Sequence, residues 1–146
     1  MTLKRPESVL VVLYSEDAQV LLLQRDDDAD FWQSVTGTIE AGETPIQTAY
    51  REVAEETGLI LEFAKHQIVD CRQINQYRIR KQWLHRYPEG TVYNDEHVFC
   101  AKVSSNHTIT LTEHLSYQWM SKSDAIARAW SESNRLAIEK YVPSVL

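Results

Sequence analysis

Glu52, Glu55 and Glu56 carry the chemistry most open to function in this 146-residue chain. Their spacing of i, i+3 and i+4 gathers three carboxylates on one face of a helix. Like charges at that spacing cost a few tenths of a kcal/mol per pair in an isolated helix. An acidic face bathed in solvent is the ordinary meaning of such a pattern. A hard divalent cation reverses the sign of the interaction, because Mg²⁺ takes carboxylate oxygens and binds phosphate oxygens as well. Crowding of this kind also raises a carboxylate pKa and prepares a general base.

A helix is expected over residues 45–57 to hold these groups. Thr44 is placed to cap it, Pro45 falls at its first position, and Gln47 completes a capping box. Gly58 supplies the left-handed residue that ends it. Ile46, Ala49, Tyr50, Val53 and Thr57 make the buried stripe beside the glutamate face. Before the helix, Gly37 and Gly42 permit the turns of a tight loop, and Glu43 is placed to pair with Arg51 and brace it.

Strands are expected at Val9 to Tyr14 and Val20 to Gln24, joined as a hairpin, and at Phe31 to Thr36, stopped by Gly37. Further strands are expected at Ile60 to Phe63, Ile68 to Cys71, Gln73 to Leu84, His97 to Val103 and Tyr117 to Met120. Two helices should follow Ser123 and Ser133. Strands and helices alternate without a regular βαβ period, so the expected architecture is α/β with a mixed central sheet. No repeat or Pro/Gly linker divides the chain, which reads as one domain over residues 1–146.

The run Gly37, five residues, Glu43, seven residues, then Arg51-Glu52-Val53-Ala54-Glu55-Glu56-Thr57-Gly58-Leu59 resembles the Nudix box at every defined position. The resemblance implies an α/β/α sandwich in which the box forms loop, helix and loop. It implies a hydrolase of nucleoside diphosphates linked to another moiety, with divalent metal on the box glutamates. It also marks Glu43 and Arg51 as the bracing ion pair. Outside the box, Lys4-Arg5-Pro6, Leu23-Gln24-Arg25, Asp30 to Gly37, His85-Arg86-Tyr87, Thr112 to Leu115 and Ser133-Asn134-Arg135 resemble the branch of the family that hydrolyses dihydroneopterin triphosphate in bacterial folate synthesis. The segment from Gln73 to Trp83 fits that branch least well.

On this resemblance the expected metal ligands are Glu52, Glu56 and Glu113. Mg²⁺ is the expected ion, with Mn²⁺ as substitute. Glu55 stands at the edge of the catalytic group, and Glu113 arrives from a Thr-Glu-His turn beyond the box. Arg25, at a strand end, offers phosphate a planar donor fork, with pairing to Asp26 to Asp28 as its alternative. Lys4 is a second phosphate contact. Thr36 is a candidate hydrogen-bonding partner of the ligand, with Ser131 and Ser133 weaker ones. Trp32, Tyr77, Trp83 and Tyr87 are candidate faces for stacking a flat ring. His85, His97 and His114 show no ligand spacing and are read as structural or exposed.

Charge narrows the partners. The net charge is −6, which disfavours nucleic acid as a general ligand. Yet five bases and no acid lie between Cys71 and Pro88, a basic stretch suited to a small polyanion. No apolar run is long enough to span a membrane. No small-residue cleavage site follows the first apolar run, and the two cysteines cannot make a disulfide framework, so a reducing cytoplasm is expected. Oligomeric state is open, with a monomer favoured. Two other readings stand beside the leading one: a housecleaning pyrophosphatase for dATP or oxidised purine triphosphates, and a nucleotide-sensing module that does not cleave.

Overall fold

A computed structural model describes residues 3–144. Its elements are β1 (Glu7–Tyr14), β2 (Val20–Gln24), β3 (Trp32–Gln33), β4 (Val35–Thr38), α1 (Pro45–Thr57), β5 (Val69–Arg78), β6 (Tyr93–Lys102), β7 (Ser116–Met120), α2 (Lys122–Arg128) and α3 (Glu132–Tyr141). Short 3₁₀ turns occupy Phe63–Lys65 and Lys81–Arg86. The strands form one mixed sheet of order β3-β2-β1-β6-β5, with β4 also on β1 and β7 also on β2.

β1 explains the layers. It runs parallel to β6 along its whole length, from Glu7 opposite Asp95 to Tyr14 opposite Lys102. A strand buried on both faces reads as a continuous apolar run, as Val9 to Leu13 does. Val9, Val11 and Leu13 pack with Ala49 and Val53 of α1. Leu10 and Val12 pack with Ala125 of α2 and Ala137 and Ile138 of α3. The result is the expected α/β/α sandwich.

α1 forms at the expected bounds, with Thr44 and Gln47 making the reciprocal capping box and Gly58 at φ 77° closing it. Other expectations need correction. Phe31 to Thr36 is not one strand ending at Gly37: it breaks at Ser34, and β4 continues through Gly37 to Thr38. The break has a cause. The Ser34 amide donates to Asn134 Oδ1 at 2.8 Å, and Asn134 Nδ2 meets the Ser34 hydroxyl at 3.0 Å. That pair replaces ladder hydrogen bonds and ties α3 to the sheet. We expect Asn134→Ala to lower unfolding stability by roughly 1–3 kcal/mol, because it strands a buried amide; urea denaturation checks this.

The expected hairpin is nearly absent as a ladder, since β1 and β2 pair only at Tyr14 and Val20. β2 is paired instead along its length with β7, from Val20 opposite Met120 to Gln24 opposite Ser116. No strand forms at Ile60 to Phe63, where Ile60 faces solvent. The two strands expected between Ile68 and Leu84 are one, β5, with a bulge between Asp70 and Gln73 where Arg72 takes φ 54°. The last two helices begin earlier than expected, after the caps Ser121 and Ser131.

Candidate active site

Glu52 and Glu56 are one turn apart on α1, and their carboxyl groups hydrogen-bond each other. Glu56 is only 9% exposed. Burial holds its carboxyl well above the ordinary value, and the neighbouring Glu52 pushes the same way. The Thr36 amide of β4 lies beside Glu56 and partly offsets this. Glu56 Oε1 nonetheless has no hydrogen-bond partner. Burial also raises Glu52, against the opposing pull of Arg51.

The close approach of α1 to β4 depends on Gly37. A Cβ built there would lie 2.1 Å from Glu52 Cδ. The missing side chain is therefore the space in which the Glu52 carboxylate rests, a role that composition alone does not reveal.

Arg51 organises the loop. Its Nε and Nη2 bond the two Glu43 oxygens at 2.7 and 2.9 Å, and Nη2 also reaches the Thr38 carbonyl at 3.1 Å. Its Nη1 meets Glu52 at 2.6 Å and Glu55 at 3.1 Å. Glu55 is exposed at the edge of the group. The Arg51 hydrogen bonds hold Glu43 down at about 2. A carboxyl depressed below its unfolded value of 4.5 stabilises the fold above that value, and the contribution disappears as pH falls toward 2. Glu43→Gln is therefore expected to lower the melting temperature at pH 7, with the gap to the unaltered protein closing by pH 2 in thermal scans.

The carboxylate group fits a hard divalent cation. Its donors are all oxygen, two of its carboxylates are crowded together, and a buried oxygen has no partner. Among the described residues, no three acidic, histidine or cysteine side chains stand close enough together to grip an ion unaided. Glu113 is exposed on its loop, near enough for its charge to act on both Glu56 and His114. His114 takes the structural of its two expected readings, with its side chain largely buried. Its Nε2 lies 3.8 Å from Glu56 Oε1, and its buried Nδ1 has no partner. Sequence spacing gave no hint of this, because the contact joins a loop to a helix in another layer.

A cavity of about 750 Å³ opens on the opposite side of β4. Lys4, Arg25, Thr36, Tyr77 and Ser131 all line it, as do Trp83, Tyr87 and Ser133. Trp32 does not; it packs against the second core, with the Arg128 guanidinium 5.3 Å from its ring. Several lining side chains already have local tasks. The Thr36 hydroxyl donates to the Val9 carbonyl at 2.9 Å, and Ser131 caps α3 by accepting from Asn134 N at 3.2 Å. Arg25 forks onto Asp27 through Nε and Nη2, the expected alternative, while Nη1 reaches Gln33 at 3.3 Å. Desolvation of the Tyr77 hydroxyl raises its pKa, with nearby Ser8 and Asn94 opposing the rise. Desolvation, then the charges of Arg86 and Arg25, lowers the Lys4 ammonium below its usual value.

Trp130, Gln33, Asn75 and Glu96 line the cavity without having been marked by the sequence. Trp130 stacks on Phe31 at 4.6 Å between centroids, and its indole N–H donates to Gln33 at 3.2 Å. Arg80 lies 5.5 Å from the Trp130 ring and 5.6 Å from Trp83, so guanidinium and aromatic faces form one wall.

The NUDIX domain family model matches residues 4–141, and the chain belongs to the Nudix family. Members of this family hydrolyse small nucleotide or pterin substrates and need a divalent metal. Among its relatives, dihydroneopterin triphosphate diphosphatase of Escherichia coli is 45% identical over 140 residues, 95% of this chain and 93% of that protein. The Haemophilus influenzae protein of the same name is 41% identical over 143 residues, 97% of this chain and 90% of that one. The solved structure of the E. coli dihydroneopterin triphosphate pyrophosphohydrolase superposes with a TM-score of 0.91 at 44% identity, covering 97% of this chain and 98% of that one. Among the described residues, no helix is long and apolar enough to cross a membrane.

Proposed function

We propose that the protein is a Mg²⁺-dependent pyrophosphohydrolase that converts dihydroneopterin triphosphate to dihydroneopterin monophosphate and pyrophosphate. One observation carries this reading: Thr36 joins two halves of a site. Its amide lies beside Glu56 on the carboxylate side, while the residue lines a cation-rich cavity on the other. A triphosphate seated at that junction meets the carboxylate group at one end and leaves a ring in the cavity at the other. The likeness to the two bacterial diphosphatases, spread over nearly the whole chain, supports the pterin as that ring.

Bound Mg²⁺, or Mn²⁺ in its place, supplies Lewis acidity and offsets phosphate charge. Glu52, Glu56 and Glu113 would hold it, together with oxygens of the substrate's phosphates. Arg25, Lys4 and Arg86 face the phosphates, and the Trp83 and Trp130 wall confines the ring. A carboxylate of this group takes the proton of the attacking water. The breaking bond frees pyrophosphate. In this reading the chain works as one domain, in the cytoplasm, on a small molecule rather than on nucleic acid, and as a monomer.

The test is a side-by-side measurement of kcat/KM. Dihydroneopterin triphosphate should exceed dATP and 8-oxo-dGTP by tenfold or more. A tenfold advantage for either purine would overturn the pterin assignment.

A further inference from the structure

The cavity is lined by Lys4, Arg25, Arg78, Arg80 and Arg86, yet an acid lies on its floor. Glu96 of β6 is 5% exposed. Among the described residues, no cation stands within ion-pair distance of it. Its neighbours are neutral: Asn75 Nδ2 donates to Oε1 at 3.4 Å, and the Ser133 hydroxyl is a second donor close by. An ionised carboxylate has about four acceptor positions, and these two donors leave the others open. Burial raises its pKa, the mark of a group whose environment offers too little compensation for its charge.

The position is as informative as the burial. Thr36 pairs with Leu10, and Leu10 with Val98. Glu96 lies two residues along β6 from Val98 and so faces the same side of the sheet. Two strand spacings and two residues put Glu96 about 12 Å from Thr36. A phosphate chain anchored at Thr36 and Arg25 therefore brings the far edge of an attached bicyclic ring to Glu96. An anion at this point opposes phosphate and favours an uncharged ring edge made of hydrogen-bond donors.

We propose that Glu96 is the specificity-determining residue that reads this ring: its carboxylate accepts from the paired ring N–H and exocyclic NH₂ of a 2-amino-4-oxo-pyrimidine edge. Pterins and guanine share that edge. Adenine presents an acceptor where the ring N–H should be, and hypoxanthine lacks the amino group. A buried acceptor left unpaired is costly, so rejection of the wrong edge is strong. The inference rests on the proposed seating of a triphosphate across Thr36 and deepens it, because it names the chemistry by which the ring is chosen.

Binding to the metal-free protein tests it without turnover. dGTP, dITP and dATP are titrated by calorimetry in the presence of a chelator, against the full chain and against Glu96→Gln. The unaltered protein should bind dGTP at least tenfold more tightly than dITP or dATP. Glu96→Gln should bind dGTP and dITP within about threefold of each other, with dITP affinity within about threefold of that of the unaltered protein. Equal affinity of the unaltered protein for all three, at any strength, overturns the proposal. So does a Glu96→Gln protein that weakens all three alike, which would make Glu96 a structural support. The ratio in the unaltered protein needs no variant, so a variant that fails to fold does not remove the test. Failure of the pterin assignment appears separately, as purine triphosphates hydrolysed in preference to the pterin while the dGTP-to-dITP ratio persists.

Discussion

Glu56→Gln is expected to lower kcat by about 10²-fold or more at saturating Mg²⁺, while leaving the metal-free melting temperature at pH 7 to 8 unchanged or higher. The two halves of this result have one cause. Glu56 is buried, hydrogen-bonded to Glu52, and has an oxygen without a partner. Its folded pKa lies well above the ordinary 4.5. For an acid shifted upward, stabilisation by the protonated form is complete below the unfolded value and is lost as pH rises through the folded one. Metal-free protein at neutral pH therefore carries a penalty that glutamine removes. The same substitution removes the charge that metal and transition state require. Glu113→Gln should weaken activity by a smaller factor, and Glu62→Gln should be near neutral, since Glu62 pairs only with the exposed Lys65, at 2.7 Å. Pyrophosphate release and Mg²⁺-dependent thermal shift, measured on the same preparations, check all three. Near-normal turnover in Glu56→Gln would contradict the assignment of this helix face.

Gly37→Ala is expected to reduce kcat/KM by about 10²-fold, with the protein still folded. A methyl group at this position would fall within 2.4 Å of Glu52 Oε1 and 2.5 Å of its Cγ. Those atoms are the far end of a flexible side chain, so the backbone of α1 and β4 need not part. The carboxylate must swing away instead, which takes a metal ligand out of place. A thermal scan close to normal, paired with a rightward shift of the Mg²⁺ activation curve, is the expected signature. Loss of folding would show that the glycine serves helix-to-strand packing rather than the placement of Glu52.

These two positions also show what the sequence made legible. The carboxylate face, the capping box, the Glu43–Arg51 pair and the bounds of α1 all depend on local spacing, and all appear where expected. Gly37 reads as a turn former but lies within β4, and its closeness to Glu52 is a contact between layers. The same is true of His114 at Glu56 and of Glu96 on the cavity floor. Glu96 precedes the strand expected at His97 to Val103, which in the structure begins at Tyr93, and nothing in its neighbours marks it as a ligand group. Thr36 was marked by its place at a strand end and Ser131 as a weaker candidate, and the structure shows their hydroxyls engaged with Val9 and Asn134, so they can serve a ligand only alongside those bonds. The failed strand at Ile60 to Phe63 has an apolar pattern, yet Ile60 and Phe63 face solvent there. The split at Ser34 is imposed by Asn134, 100 residues away.

The most direct test of the account is the product balance of dihydroneopterin triphosphate hydrolysis as Mg²⁺ is titrated. The account predicts one pyrophosphate released per pterin monophosphate formed, rising with Mg²⁺ and abolished by chelation. Release of orthophosphate in its place, or an undiminished rate with the metal chelated, would contradict it.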